Sequence, residues 1–295
     1  MRALPVVVMA LAVFACSSKK QDKPAGEKPV EKGLVCAAGQ VNKDGACVVV
    51  VTEAQVAAVA QQQSRIDQVA KLLEQADTLA APIDVINGLR DLDAWKALAA
   101  ANNKAKLADD VAVQLDNAVK TLRTFKASLG EVSTRVGNLK GELDKLMTQT
   151  GAAQKLEDVR AQISTQVRAT VEPFGAQVAD TIQNAIVPLT AKLDEVSAVV
   201  DITCGTVKLK GGDKAKALCK DAKSAFAKAT TFMIDFKDQP AKLYGELSTT
   251  LETQLEQLVD KETKAAIDAA QAKVNDALKL PAAAGSAAGS AAPKP

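Results

Sequence analysis

The sequence predicts an all-α protein: an elongated antiparallel helical bundle with coiled-coil-like long helices, preceded by a small N-terminal disulfide-closed β-hairpin. Three observations lead there. An apolar seam at alternating steps of three and four runs from Ala108 through Leu115, Leu122, Phe125, Leu129, Val136 and Leu143 to Leu146, the heptad signature of a helix packed against partners. The apolar 47% of the chain is dominated by alanine, valine and leucine while aromatics make up 3%, which suits narrow seams between helices better than a thick core. Four cysteines form two close pairs, Cys36 with Cys47 and Cys204 with Cys219, each able to close a short loop.

Composition also narrows the chemistry. The chain has no histidine, so catalytic triads, Cys-His dyads and most catalytic zinc sites are excluded. No other motif supplies a replacement, and neither an enzyme nor a cofactor or metal is expected. The balance of 37 basic against 35 acidic residues exerts no global pull on nucleic acid or on an acidic partner.

Taken in order, residues 1–15 carry one charge, Arg2, and then an apolar run from Leu4 to Ala15. Twelve residues are too few to span a bilayer as a helix, which takes about 20. The run is the apolar core of a signal peptide. It ends in Val13-Phe14-Ala15-Cys16, which resembles the lipobox of bacterial lipoproteins. The resemblance covers roughly the first twenty residues. It implies cleavage before Cys16, a diacylglycerol on its sulfur and an acyl chain on its new amine, with Ser17 in the following position fitting outer-membrane sorting. Several chains at about 0.8 kcal/mol per buried CH₂ make a firm anchor where one would not.

Residues 16–33 form the lipidated cysteine and a tether with five lysines, three acids, Pro24 and Pro29. So little can be buried there that disorder is expected. The hairpin occupies 34–51: Cys36 and Cys47 bracket the turn signal Asp44-Gly45, and Val48 to Val51 is β-branched. Cysteines placed beyond an inner membrane meet a compartment that permits disulfides. Zinc held by the four cysteines is the rival reading, and neither pair has the C-x-x-C spacing that would favour it.

The bundle is expected over 52–280. Thr52-Glu53-Ala54-Gln55 reads as a capping box, and Val56, Val59, Ile66, Val69, Leu73, Ala76 and Leu79 carry a first helix to about Ala81. Pro82 suits the first turn of a second helix, which carries Val85, Ile86, Leu89, Leu92, Trp95 and Leu98 to about Asn102. Trp95 lies on the apolar face and reads as core. The heptad seam follows from about Asn103 to Gln149 as one helix across Gly130, Gly137 and Gly141, with Gly151 as the break. Ala112, Val119 and Met147 occupy flanking positions where a two-stranded coil would prefer charges, so this helix should meet several neighbours.

Past Gly151 the apolar spacing from Val159 to Val200 lengthens to nearly 3.7, which favours a straighter or right-handed path. Pro173 and Pro188 should kink it. A bridge between Cys204 and Cys219 would staple a helical hairpin over the loop Gly205–Leu218. Leu218, Ala222, Phe226, Phe232, Met233 and Phe236 mark the next helix. Gln239-Pro240 restarts a last one, expected to run unbroken to Leu280, where Pro281 opens an Ala/Gly/Ser/Pro tail over 281–295.

Seven lysines stand against Asp213 and Asp221 between Lys208 and Lys228. Lys216, Lys220 and Lys223 share one helical face, the best candidate for contact with anionic lipid, lipopolysaccharide or cell-wall polymer. No aromatics are interleaved to support nucleic-acid binding. The resulting expectation is a nonenzymatic lipoprotein of the bacterial cell envelope, anchored in the outer membrane. Its partners would be the membrane, an envelope protein or cell-wall polymer, and self-association through the same seams is the architectural alternative. The rival class is a lipid-binding or membrane-perturbing bundle, similar to apolipoproteins or helical toxins, that opens its helices onto a bilayer.

Overall fold

The first regular element is the hairpin. In the computed structural model, which describes residues 35–36, 40–43, 45–102, 104–148, 155–210 and 212–279, β1 (Gln40–Lys43) pairs antiparallel with β2 (Ala46–Val49). The register sets Lys43 opposite Ala46, so a two-residue turn joins them. Gly45 takes φ +81° there, a conformation open to glycine at little steric cost, and its amide donates to Asn42 Oδ1 at 3.1 Å. The Cys36–Cys47 disulfide closes the unit, as its spacing predicts.

α1 (Glu53–Leu72) opens with the expected capping box: Gln55 N–H donates to Thr52 Oγ1 and Thr52 N–H to Gln55 Oε1. The helix does not run to Ala81 in one form. From Leu73 to Leu79 it tightens to a 3₁₀ segment, because its buried residues Leu73, Ala76 and Leu79 recur every three positions, the period of a 3₁₀ helix. The second predicted helix is likewise two: α2 (Ala81–Arg90) and α3 (Asp93–Asn102). Leu89, Leu92 and Trp95 are again three apart, and Leu92 N–H donates to Leu89 O, Trp95 N–H to Leu92 O, both at 3.0 Å. Trp95 is buried.

α4 (Lys104–Thr148) is a single helix of 45 residues, about 68 Å long. Its three glycines do not interrupt it. The heptad positions Leu115 to Leu143 are buried throughout, and so are Ala112 and Val119 on the flanks, which fits a helix with neighbours on several sides. A Cβ added at Gly130 or at Gly141 meets nothing within 4 Å. Gly130→Ala and Gly141→Ala are therefore expected to stabilise the fold by about 1 kcal/mol each, read as a raised urea midpoint; a lowered midpoint would mean that either glycine marks a flexing point.

α5 (Leu156–Thr181) continues through Pro173 without a break. At Pro188 the missing N–H leaves a carbonyl one turn back without its donor. The ladder widens instead into a π turn, Ile182–Ile186, in which Val187 N–H reaches Ile182 O. α6 (Val187–Lys210) follows, and α7 (Asp213–Phe236) begins three residues later. The expected loop Gly205–Leu218 is mostly helix, and the Cys204–Cys219 disulfide joins two packed helices rather than the rims of an open loop.

α8 (Gln239–Gln254) starts on Pro240 in its first turn. The predicted unbroken helix to Leu280 is two helices instead: the chain turns over 255–260 and restarts as α9 (Lys261–Lys279). Asp260 causes the restart. Its Oδ1 accepts the Thr263 amide at 2.7 Å as a helix cap, its own amide donates to Ser164 Oγ at 2.9 Å, and Arg168 pairs with it at 3.7 Å. Arg160 holds the same corner by donating to Gln257 O at 2.9 Å. The Thr263 hydroxyl and amide, with Ser164 and Arg168 near, hold the half-exposed Asp260 carboxyl below its ordinary range.

A carboxylate lowered in the folded state stabilises it above the unfolded value of about 3.9, and the gain disappears as pH falls through the folded value. Asp260→Ala should therefore cost about 1 kcal/mol at neutral pH. The gap to the parent chain should close in acid. Urea unfolding at both pH values checks this, and a pH-independent gap would mean that charge contributes nothing to the cap.

Cross-helix pairs set the directions. Ser133–Asp67 and Arg123–Asp77 run α4 antiparallel to α1 and the 3₁₀ segment. Arg135–Ala169 and Gln162–Glu142 run α5 antiparallel to α4, and Gln62–Thr250 and Gln55–Gln254 run α8 antiparallel to α1. Four walls result: α1 to α3, α4, α5 to α6, and α7 to α8. α9 returns beside α5 and α8 as a fifth helix over half the length. Where α5, α8 and α9 meet, a Cβ on Gly175 would lie 2.9 Å from Ala270 Cβ and 3.1 Å from the Tyr244 ring, so only glycine lets the three helices close.

Candidate functional site

The two ends of this rod differ in chemistry. At the near end sit the hairpin, the start of α1 and the corner between α8 and α9. The inner face of the hairpin turns Val49 toward the core, beside buried Val51. Val41, opposite Val48, is 49% exposed, Val50 39% and Val35 95%. A groove of about 460 Å³ separates the hairpin from the end of α8, lined by Val41, Val50, Gln55, Thr253 and Gln257. Cys16 and the expected signal segment and tether lie outside the described residues; the described chain enters the bundle at this end.

At the far end, α6 and α7 form a stapled hairpin. Cys204 and Cys219 are buried, and the bonding of all four described cysteines in two pairs displaces the zinc alternative. Lys216, Lys220 and Lys223 are exposed and lie on one side of α7, as their spacing requires at about 100° per residue. Lys216 faces Asp213 at 3.8 Å, and Lys223 meets Asp201 of α6 at 2.5 Å. Both ion pairs are more than half exposed, and such surface pairs contribute little stability. The Asp201 partner was invisible in the sequence, because it depends on how the disulfide registers α6 against α7.

Gly88 of α2 packs on Leu218 of α7, while Gln55 of α1 reaches Gln254 of α8. The lysine face and the hairpin are thus separated by roughly 50 Å along the bundle.

Between the ends, a polar groove of about 720 Å³ follows α1 and α8, crossed by the Arg65–Glu246 ion pair and floored by the Gln62–Thr250 hydrogen bond. Its acids and bases are mixed, Arg65 and Lys242 with Glu246, Glu252 and Asp268. The one strongly shifted phenol, Tyr244, is pushed up by burial and further by the Glu172 carboxylate. It is enclosed in the core with no access for a substrate. Among the described residues no group of three His, Cys, Asp or Glu side chains could hold a metal ion. No helix among them is long and apolar enough to cross a membrane.

No protein-family model, no curated protein and no solved structure matches this chain.

Proposed function

We propose that this protein is a lipid-anchored, nonenzymatic spacer or scaffold of the bacterial cell envelope. The observation that supports it is the polarity of the rod: the segment that resembles a lipoprotein signal leads into one end, and the lysine face stands roughly 50 Å away toward the other. Acyl chains on Cys16 would hold the near end to the outer membrane. The walls between are seams of small apolar side chains, which give length and stiffness. The helix sides outside the lysine face then remain open to an envelope protein or a cell-wall polymer.

Acyl labelling in cells, followed by envelope cross-linking and mass spectrometry, tests the proposal. Cys16→Ser should abolish the label and release the chain from the membrane fraction. The parent chain should capture a reproducible set of envelope components. An unlabelled Cys16 overturns the anchor, and capture of no envelope component overturns the scaffold. Leakage of liposomes caused by the Cys16→Ser chain would instead favour a membrane-perturbing bundle.

A further inference from the structure

We infer that the exposed lysine face of α7 is an electrostatic docking surface for a bilayer bearing anionic phosphate headgroups, separate from the lipid anchor and independent of it. Charge is segregated along the bundle. Within the bundle, residues 208–228 carry seven basic against two acidic side chains, while the rest of 52–279 carries 22 basic against 29 acidic. A body that is acidic overall, with one basic segment at its far end, is oriented by a negative surface before it touches it.

Lys216, Lys220 and Lys223 span two turns of one side of α7, about 10 Å, with Asp213 and Asp201 the carboxylates paired to them. Those exposed pairs exchange readily for phosphate oxygens, since each is worth little in water. Lysine ammonium groups act as mobile point charges and do not impose the fixed fork that arginine would. The two grooves lie at the near end and along α1 and α8. The lysines instead stand on a convex helix side, which matches a flat layer of headgroups better than a single polymer strand needing a channel.

Vesicle sedimentation tests the assignment. The full chain carrying Cys16→Ser is mixed with vesicles of phosphatidylcholine alone or with added phosphatidylglycerol, and the excess binding to the anionic vesicles is followed as salt rises. The triple variant Lys216→Gln, Lys220→Gln, Lys223→Gln should lose about a hundredfold of that excess affinity. The corresponding Lys→Arg triple should keep it. A third variant, Lys19→Gln, Lys20→Gln, Lys23→Gln, removes tether charge and should retain most of the binding. An unchanged unfolding midpoint in the glutamine triple confirms that the fold is intact. Equal binding of parent and glutamine triple overturns the inference, as does loss confined to the tether variant. Preferential capture of soluble heparin over the vesicles also overturns it and assigns the face to an anionic polymer. None of these outcomes depends on acylation of Cys16, so failure here leaves the anchor to be judged by its own label.

Discussion

Phe125→Ala is expected to cost about 4 kcal/mol, among the largest single-residue losses in the bundle. Phe125 is buried in α4, and its ring lies 6.2 Å from Phe174 of α5 and 6.3 Å from Phe236 of α7. Phe174 in turn meets Tyr244 of α8 at 5.7 Å, and Phe236 stacks on Phe232 at 5.4 Å. Five of the chain's eight aromatic side chains therefore meet where α4, α5, α7 and α8 converge. Elsewhere the seams are filled mainly by Val, Leu, Ile and Ala, whose modest volumes leave little freedom to flow into a large void.

Truncation at Phe125 removes the transfer energy of the ring, leaves a cavity and deletes two aromatic contacts of about 0.5–1.5 kcal/mol each. On a chain of this size the melting temperature should fall by about 10 °C. Val113→Ala on the same helix, at a position 62% exposed, should change stability by less than about 0.5 kcal/mol. Parallel chemical denaturation of the two variants checks the contrast. Equal, small losses would mean that the aromatic cluster is not the centre of the core.

What the sequence made legible, and what it did not, follows from the range of the interaction concerned. The seam of α4 was readable because a heptad period needs no knowledge of the partner: a helix 45 residues long must bury one side somewhere. The two tightened segments were readable in principle, since Leu73, Ala76, Leu79 and Leu89, Leu92, Trp95 step by three instead of by three and four. A helix from Gln239 to Leu280 was the wrong extrapolation. Leu258 and Ile267 are nine apart, which fits no helical face, and Asp260 followed by Thr263 is a cap signal inside that gap.

Gly175 lay beyond sequence reasoning altogether. Its requirement comes from Ala270 and Tyr244, residues of helices that no local pattern places beside it. The lysine face falls between these cases. The shared side of Lys216, Lys220 and Lys223 follows from helical spacing alone, whereas its position far from the hairpin follows only from the order in which the four walls fold back on one another.

Breaking the Cys204–Cys219 bridge is the second large effect, expected at about 3 kcal/mol from a sequence separation of 15. The loss arises mainly in the unfolded chain, where the closed loop no longer restricts conformations. Both sulfurs are buried, and reduced thiols pack as small apolar groups, so the folded contacts of α6 and α7 should survive at low temperature. The effect should also be local. The bridge sits near the far end of the rod, where α6 and α7 join, and α2, α3 and α4 pack against the two helices there. Cys204→Ala with Cys219→Ala should lower the urea midpoint and raise hydrogen exchange first in residues 199–222, while amides of α5 and α9 keep their protection. The Cys36–Cys47 bridge closes a shorter loop around a two-stranded unit, and its removal should leave the bundle midpoint nearly unchanged. The far end carries the lysine face, so the same double variant should bind anionic vesicles more weakly as temperature rises through the local opening. An unchanged midpoint and unchanged exchange in the double variant would show that packing alone holds α6 to α7.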